Sequence, residues 1–243
     1  MAYSVKAWLC GNVIEIYSYD KVIYDNYRLD DCEKRGRSVV ACDDDKLKNR
    51  KKVCQRAKID LIRLINTNYK ANSSRFVTLT FRENMQDLKK ANYEFTKFIK
   101  RFEYYLGYKL QYSAVVEFQK RGAVHYHVIF YNISVKLDLP RCTDIWGHGS
   151  FNCKRIDKVK NVGVYMVKYL LKNSKDERFV GQKMYFNSRG LNRPQEIKEP
   201  DLIDQLQRSL LNQAPNYVSE YDIMFNDKVQ NHVVCKQYVI CEA

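Results

Sequence analysis

Gly122-Ala123-Val124-His125-Tyr126-His127-Val128-Ile129-Phe130 is the stretch whose reading decides the fold. It is an apolar, β-forming run that carries two histidines one residue apart. In a strand, residues i and i+2 share a face. His125 and His127 therefore project together, while Val124, Tyr126, Val128 and Phe130 face the other way. Paired imidazoles on a rigid surface are half of a metal site. Alone, such a stretch more often means two histidines on a half-buried strand. Its neighbours change that reading.

The preceding segment, 112–118, is a second strand. If Phe118 pairs with Val124, residues 119–123 form a five-residue loop, an allowed hairpin length with Gly122 available for an unusual dihedral. The same register sets Glu117 opposite His125 on one sheet face. One carboxylate and two imidazoles then converge and leave positions open for water and substrate oxygens. That mixed set suits a divalent cation, Mg²⁺ or Mn²⁺, better than a closed structural zinc site. His148, in Trp146-Gly147-His148-Gly149, competes as third ligand, although its flanking glycines read more simply as a turn.

Downstream, residues 161–172 plot as a helix at about 100° per residue. Asn161, Tyr165, Lys168 and Lys172 fall in one polar arc. Val164, Met166, Val167, Leu170 and Leu171 form the opposite face, with Tyr169 at the border. Tyr165 is thus the tyrosine expected to meet a ligand. A phenol with a pKa near 10 is a poor nucleophile at neutral pH and needs positive charge or a metal beside it. Lys168 and Lys172 supply that charge.

The remaining chain is read outward from these motifs. Residues 3–24 suggest a hairpin around Gly11-Asn12. Asp43-Asp44-Asp45 precede a helix over 46–68 whose opening turns are strongly basic. Residues 75–81 form a strand with Thr78 and Thr80 on one face. A helix over about 87–105, a short helix over 140–146, a strand over 151–156, a helix over 201–212 and strand-like segments over 217–240 complete the order. The fold class expected is α+β, with a central antiparallel sheet and flanking helices. The expected domain division is 1–200, with a motif-bearing core over about 45–196 and a β-rich extension over 1–40, followed by an appendage of unknown role over 201–243.

The chain of 243 residues has a formal net charge of +14. Residues 201–243 hold three Lys or Arg against six Asp or Glu, so the first 200 residues carry 39 basic and 22 acidic groups. Such a field attracts polyanions, nucleic acid above all. Nineteen tyrosines and eleven phenylalanines add surfaces for unpaired bases to stack on. No apolar run approaches the length of a membrane span, no secretory signal pattern opens the chain, and none of the eight cysteines forms a C-x-x-C pair. The expectation is a soluble cytoplasmic protein with reduced thiols and no membrane partner.

Three motifs in this order resemble those of HUH endonucleases, specifically the gene II-like rolling-circle replication initiators of phages and plasmids. Phe76-Val77-Thr78-Leu79-Thr80-Phe81 looks like their first motif and His125-Tyr126-His127 like the second. Tyr165-Met166-Val167-Lys168-Tyr169 looks like the third, in its two-tyrosine form. Residues 146–149 and 184–194 also fit this branch. The resemblance implies a metal-dependent nick in single-stranded or hairpin origin DNA, with a 5′-phosphotyrosyl link and a free 3′-OH that primes synthesis. Carried over by position, Tyr165 is the nucleophile, Lys168 its basic companion and Tyr169 a second nucleophile or a structural residue. His125, His127 and Glu117 become the metal ligands, and Thr78, Thr80, Lys120, Arg121 and Lys172 the DNA contacts. No phosphate-binding loop of the G-x-x-x-x-G-K-[ST] type is present, so a host helicase is the expected unwinding partner and a host DNA polymerase the extending one. A relaxase or HUH transposase shares this chemistry, and a non-catalytic single-strand or hairpin DNA-binding regulator is the alternative from another class.

Overall fold

The computed structural model describes residues 1–25, 43–157, 159–172, 176–179, 182–225 and 228–240, without the side chains of 43–53 and 177. In chain order the described elements are β1 (Ala2–Cys10), β2 (Val13–Tyr24), α1 (Asp43–Asn68), β3 (Arg75–Phe81), α2 (Leu88–Leu106), β4 (Tyr112–Phe118) and β5 (Val124–Phe130). There follow α3 (Leu139–Trp146), β6 (Gly149–Lys154), α4 (Val162–Lys172), β7 (Tyr185–Asn187), β8 (Gln195–Ile197), α5 (Pro200–Ser209), β9 (Tyr217–Phe225) and β10 (Lys228–Val239). The side chains of most of the basic run that opens α1 lie outside the described residues.

Two five-stranded antiparallel sheets result, ordered β8-β1-β2-β10-β9 and β6-β3-β5-β4-β7. The architecture is α+β, as expected. The chain divides into a unit of Met1–Ala57 with Arg193–Ala243, and a unit of Lys58–Asn192. Sheet pairing thus joins segments that chain order separates: β2 of the N-terminal hairpin bonds to β10, beyond residue 200. Among the described residues, no helix is long and apolar enough to cross a membrane.

In the 58–192 unit, strand alternation sorts the side chains to two faces. Val77, Leu79, Phe81, Val116, Tyr126 and Val128 pack against Ala91, Phe95, Phe98 and Phe102 of α2. Those α2 positions recur at helical spacing and form one apolar stripe. Asp87 starts that helix, its carboxylate accepting from Lys89 N and Lys90 N, and Gly107 ends it with a left-handed φ of 81°. On the opposite face, Phe76, Val115 and Ile129 pack against Met166, Val167 and Leu170 of α4 and against Leu61, Ile62 and Ile65 of α1. The sheet is therefore clothed on both sides, with β5 at its centre. In the other unit, Ile203 of α5 and Leu210 just beyond it pack with Ala7, Ile16, Ile197 and Tyr238.

Several boundaries differ from the sequence expectation. β6 begins at Gly149 because it pairs along the whole of Phe76–Phe81. The helix after residue 200 stops at Ser209, and β7 and β8 are three-residue strands too short to leave a periodic signal. The apolar face of α4 is also narrower. Val164 and Leu171 are exposed, because only Val162, Gly163, Met166, Val167 and Leu170 are turned into the core.

Candidate active site

The β4–β5 register sets Glu117 opposite His125 and Phe118 opposite Val124, the pairing inferred from loop length. On the other side of β5, Thr80 lies opposite His125 and Thr78 opposite His127. Period-2 alternation brings all five side chains to one end of the α4 face. Their contacts follow from that placement. Thr80 Oγ1 lies 2.5 Å from His125 Nε2, and Thr78 Oγ1 lies 3.4 Å from His127 Nδ1. Glu117 Oε2 accepts from His127 Nε2 at 2.6 Å, and its Oε1 accepts from Lys172 Nζ at 2.9 Å. A carboxylate can only accept, so the proton of His127 sits on Nε2.

The electrostatics are consistent with this geometry. Burial, and then the neighbouring His127, pushes the His125 imidazole down to about 4, so it is neutral at physiological pH. Burial alone would raise Glu117, but the hydrogen bonds from His127 and Lys172 outweigh it and hold the carboxyl below its usual range. As they stand, no three His, Cys, Asp or Glu side chains among the described residues form a ready-made metal centre. His148, the competing ligand, is elsewhere. Its Nε2 bonds Glu94 Oε2 of α2 at 3.0 Å and its ring lies against Trp146 and Phe81, so it belongs to the α2 face.

The tyrosines reach this cluster because α4 is clasped at its first turn. Asn161 Oδ1 accepts from Val164 N at 3.0 Å, capping the helix. Buried Asn66 of α1 accepts from Gly163 N at 2.8 Å and donates to Asn161 Oδ1 at 3.0 Å. At Gly163 a side chain would collide with the Ile62 backbone, so the two helices approach as closely as their main chains allow. This clasp orients the tyrosine face toward the sheet. Tyr169 stacks on His127, ring centroids 3.7 Å apart at 20°. Its hydroxyl donates to the Tyr165 oxygen at 3.3 Å. Phe76 lies beneath both rings, at 5.5 Å from Tyr165 and 5.9 Å from Tyr169. Lys168 Nζ stands 3.7 Å from the centre of the Tyr165 ring. Burial, the bond to Tyr165 and the charge of Glu117 together push the Tyr169 phenol well above its ordinary pKa.

The structure thus brings together His125, His127, Glu117, Thr78, Thr80, Tyr165, Tyr169, Lys168 and Lys172. Thr78 and Thr80, expected as DNA contacts, here hold the histidine rings, and Lys172 holds Glu117. Arg121 donates to the carbonyls of Phe81 and Arg82, tying the β4–β5 loop to the end of β3, whereas Lys120 is exposed. Asn66, Gly163 and Phe76 were not anticipated as positioning residues. Their only sequence signals were an asparagine inside the apolar stripe of α1 and a glycine in the first turn of a helix.

An antiparallel sheet with paired histidines on its central strand and a tyrosine helix on the same face has the α+β arrangement of an HUH endonuclease. Residues 74–174, which contain the whole cluster except Asn66, match the family model for replication-associated proteins of the ORF2 and gene II protein type. That segment is similar to rolling-circle replication initiators of this type. No curated protein and no solved structure matches the chain.

Proposed function

We propose that the chain initiates replication by nicking single-stranded or hairpin origin DNA, with Tyr165 as nucleophile. One observation carries the reading. The Tyr165 oxygen receives a hydrogen bond from Tyr169, has Lys168 against its ring, and stands on the face that holds His125, His127 and Glu117. A hydrogen-bond donor and an adjacent ammonium are suited to stabilise charge that develops as the phenol oxygen attacks a phosphate. Tyr169, whose own pKa is raised, stays protonated and able to donate.

In the first step the Tyr165 oxygen bonds to the scissile phosphorus and the bond from phosphorus to the 3′ oxygen breaks. The phenol proton is lost and one is taken up by the leaving oxygen, giving a 5′-phosphotyrosyl link and a free 3′-OH. Attack by a 3′-OH on that link reverses the step and rejoins the strand. Lys168 and Lys172 lie where they balance the charge of the phosphate, and exposed Lys120 extends the basic surface. Tyr169 is four residues on and shares the helix side, so it is also placed to take the second transfer.

The donor set suits a divalent cation, because metal binding needs neutral imidazoles and an ionised carboxylate, and His125 and Glu117 are held in those forms. His125, His127 and Glu117 would hold Mg²⁺ or Mn²⁺, which polarises a bound phosphate and neutralises its oxygens. A host helicase and DNA polymerase would open and extend the nicked template.

The test incubates the protein with labelled single-stranded oligonucleotides tiling the DNA that encodes it, with Mg²⁺ or Mn²⁺, and resolves the products on denaturing gels. Tyr165→Phe should abolish both nick and adduct, while Tyr169→Phe should retain an adduct at reduced rate. An adduct that survives in Tyr165→Phe and is lost in Tyr169→Phe would reverse the assignment. No nick on any oligonucleotide with either ion would leave a non-catalytic DNA-binding regulator.

A further inference from the structure

The outward side of α2 carries a feature that nicking does not use. Lys89, Tyr93, Lys97, Lys100 and Tyr104 follow one another at spacings of four, four, three and four residues. They therefore form one ridge along the helix. Tyr93 is 60% exposed and Tyr104 is 91% exposed, although nothing in the packing of α2 requires an aromatic ring there. Lys97 Nζ lies over the Tyr93 ring, 4.4 Å from its centre, a cation on one π-face.

The ridge is also cationic. α2 contains Lys89, Lys90, Lys97, Lys100 and Arg101 against Glu94 and Glu103 alone. Both carboxylates are already engaged, Glu94 by His148 and Lys97, and Glu103 by Lys109 and the Leu110 N–H. Arg101 turns aside to the carbonyls of Ile145 and Trp146. What faces solvent is lysine interleaved with tyrosine over roughly 16 Å between Tyr93 and Tyr104, at 1.5 Å per residue. An ordinary solvated helix face shows lysine and glutamate; open rings at this spacing are the pattern of a surface for unpaired bases and their phosphates.

We propose that this ridge is a second binding surface for single-stranded DNA, sequence-nonspecific and separate from the tyrosine site. The sheet lies between the two. α2 buries its opposite side on Val77, Leu79 and Tyr126, whereas His125, His127 and Glu117 project from the other face. Tyr93 and Tyr104 stack on bases, and Lys89, Lys97 and Lys100 neutralise phosphates. The inference goes beyond the nicking reading and does not need it.

The full chain is titrated in EDTA against fluorescently labelled dT20, which has no origin sequence, at a series of salt concentrations. Tyr93→Ala/Tyr104→Ala should weaken binding roughly tenfold or more, and Tyr93→Phe/Tyr104→Phe should bind as wild type because the rings remain. Lys97→Gln/Lys100→Gln should flatten the slope of log affinity against log salt by about 1.4, at about 0.7 per single-strand phosphate. Circular dichroism and thermal melting verify the fold of each variant. Wild-type affinity and salt slope in both the alanine and glutamine pairs would overturn the proposal. So would an equal loss on a 20-base-pair duplex, since duplex bases offer no free face. A tighter, ridge-dependent affinity for rU20 than for dT20 would overturn the assignment to DNA. Nicking assayed alongside separates the two readings: failure to nick with ridge-dependent dT20 binding intact refutes only the nuclease, and the converse refutes only the ridge.

Discussion

β5 and β9 are both strands of five-stranded antiparallel sheets, yet six of the seven residues of β5 are buried and none of the nine in β9 is. β5 is central and clothed by helices on both faces, while β9 is an edge strand paired only with β10. The contrast explains where polar residues carry information. An imidazole taken out of water costs free energy unless its nitrogens are satisfied, so buried His127 and half-buried His125 in β5 demand partners, and Thr78, Thr80 and Glu117 supply them. Glu220 and Asp222 on β9 stand in water and demand nothing. A histidine on each sheet makes the difference measurable, since His125 is desolvated on β5 whereas His232 on β10 is partly exposed and bonded to Asp222 at 2.8 Å.

The largest effect should come from the helix clasp beneath β5. Gly163→Val forces a side chain against the Ile62 backbone and should destabilise the 58–192 unit by about 3 kcal/mol. Amide hydrogen exchange should quicken in β3, β4 and β5 while β1, β2 and β10 keep their protection. Equal protection everywhere would show that the close approach is not needed.

The two sheets should also respond to acid with opposite sign. His125 has its pKa pushed below the ordinary value, so the unfolded chain takes up the proton first. Its contribution is lost as pH falls from about 6.5 toward 4. Glu117, also held low, adds a loss in the same direction through the carboxylate range. The bond to Asp222 raises His232, so its contribution is present below about pH 6.5 and is lost as pH rises through the raised value. Exchange rates in EDTA, corrected for intrinsic pH dependence, should show β4–β5 loosening and β9–β10 tightening between pH 7 and 5. A common sign in both sheets would break the contrast. The smallest effect belongs to the edge: Tyr221→Ser or Phe225→Ser should change stability by no more than about 0.5 kcal/mol in urea denaturation.

The same contrast explains what could be read in advance. The β4–β5 register was legible because pairing Phe118 with Val124 leaves a five-residue hairpin loop with Gly122 available for an unusual dihedral, and that constraint also delivered Glu117. The polar arc of α4 was legible from helical periodicity. Val164 and Leu171 were assigned to the apolar face by the same plot, although the helix turns only its other apolar positions into the core. Asn66 and Gly163 could not be assigned because their roles depend on two helices meeting across about a hundred residues of chain. The partnership of β2 with β10 was hidden for a similar reason, since nothing local in either strand names its neighbour.

That last pairing has a consequence for how the molecule is made. Its 58–192 unit is a continuous piece of chain that falls, in sequence, between the two segments of the other unit, so every partner within it has been synthesised before β10 exists. The sheet of β1, β2 and β10 cannot close until residues 228–239 have left the ribosome, well over a hundred residues after β2. The 58–192 unit therefore folds first during synthesis, and β2 spends that interval with one edge unpaired.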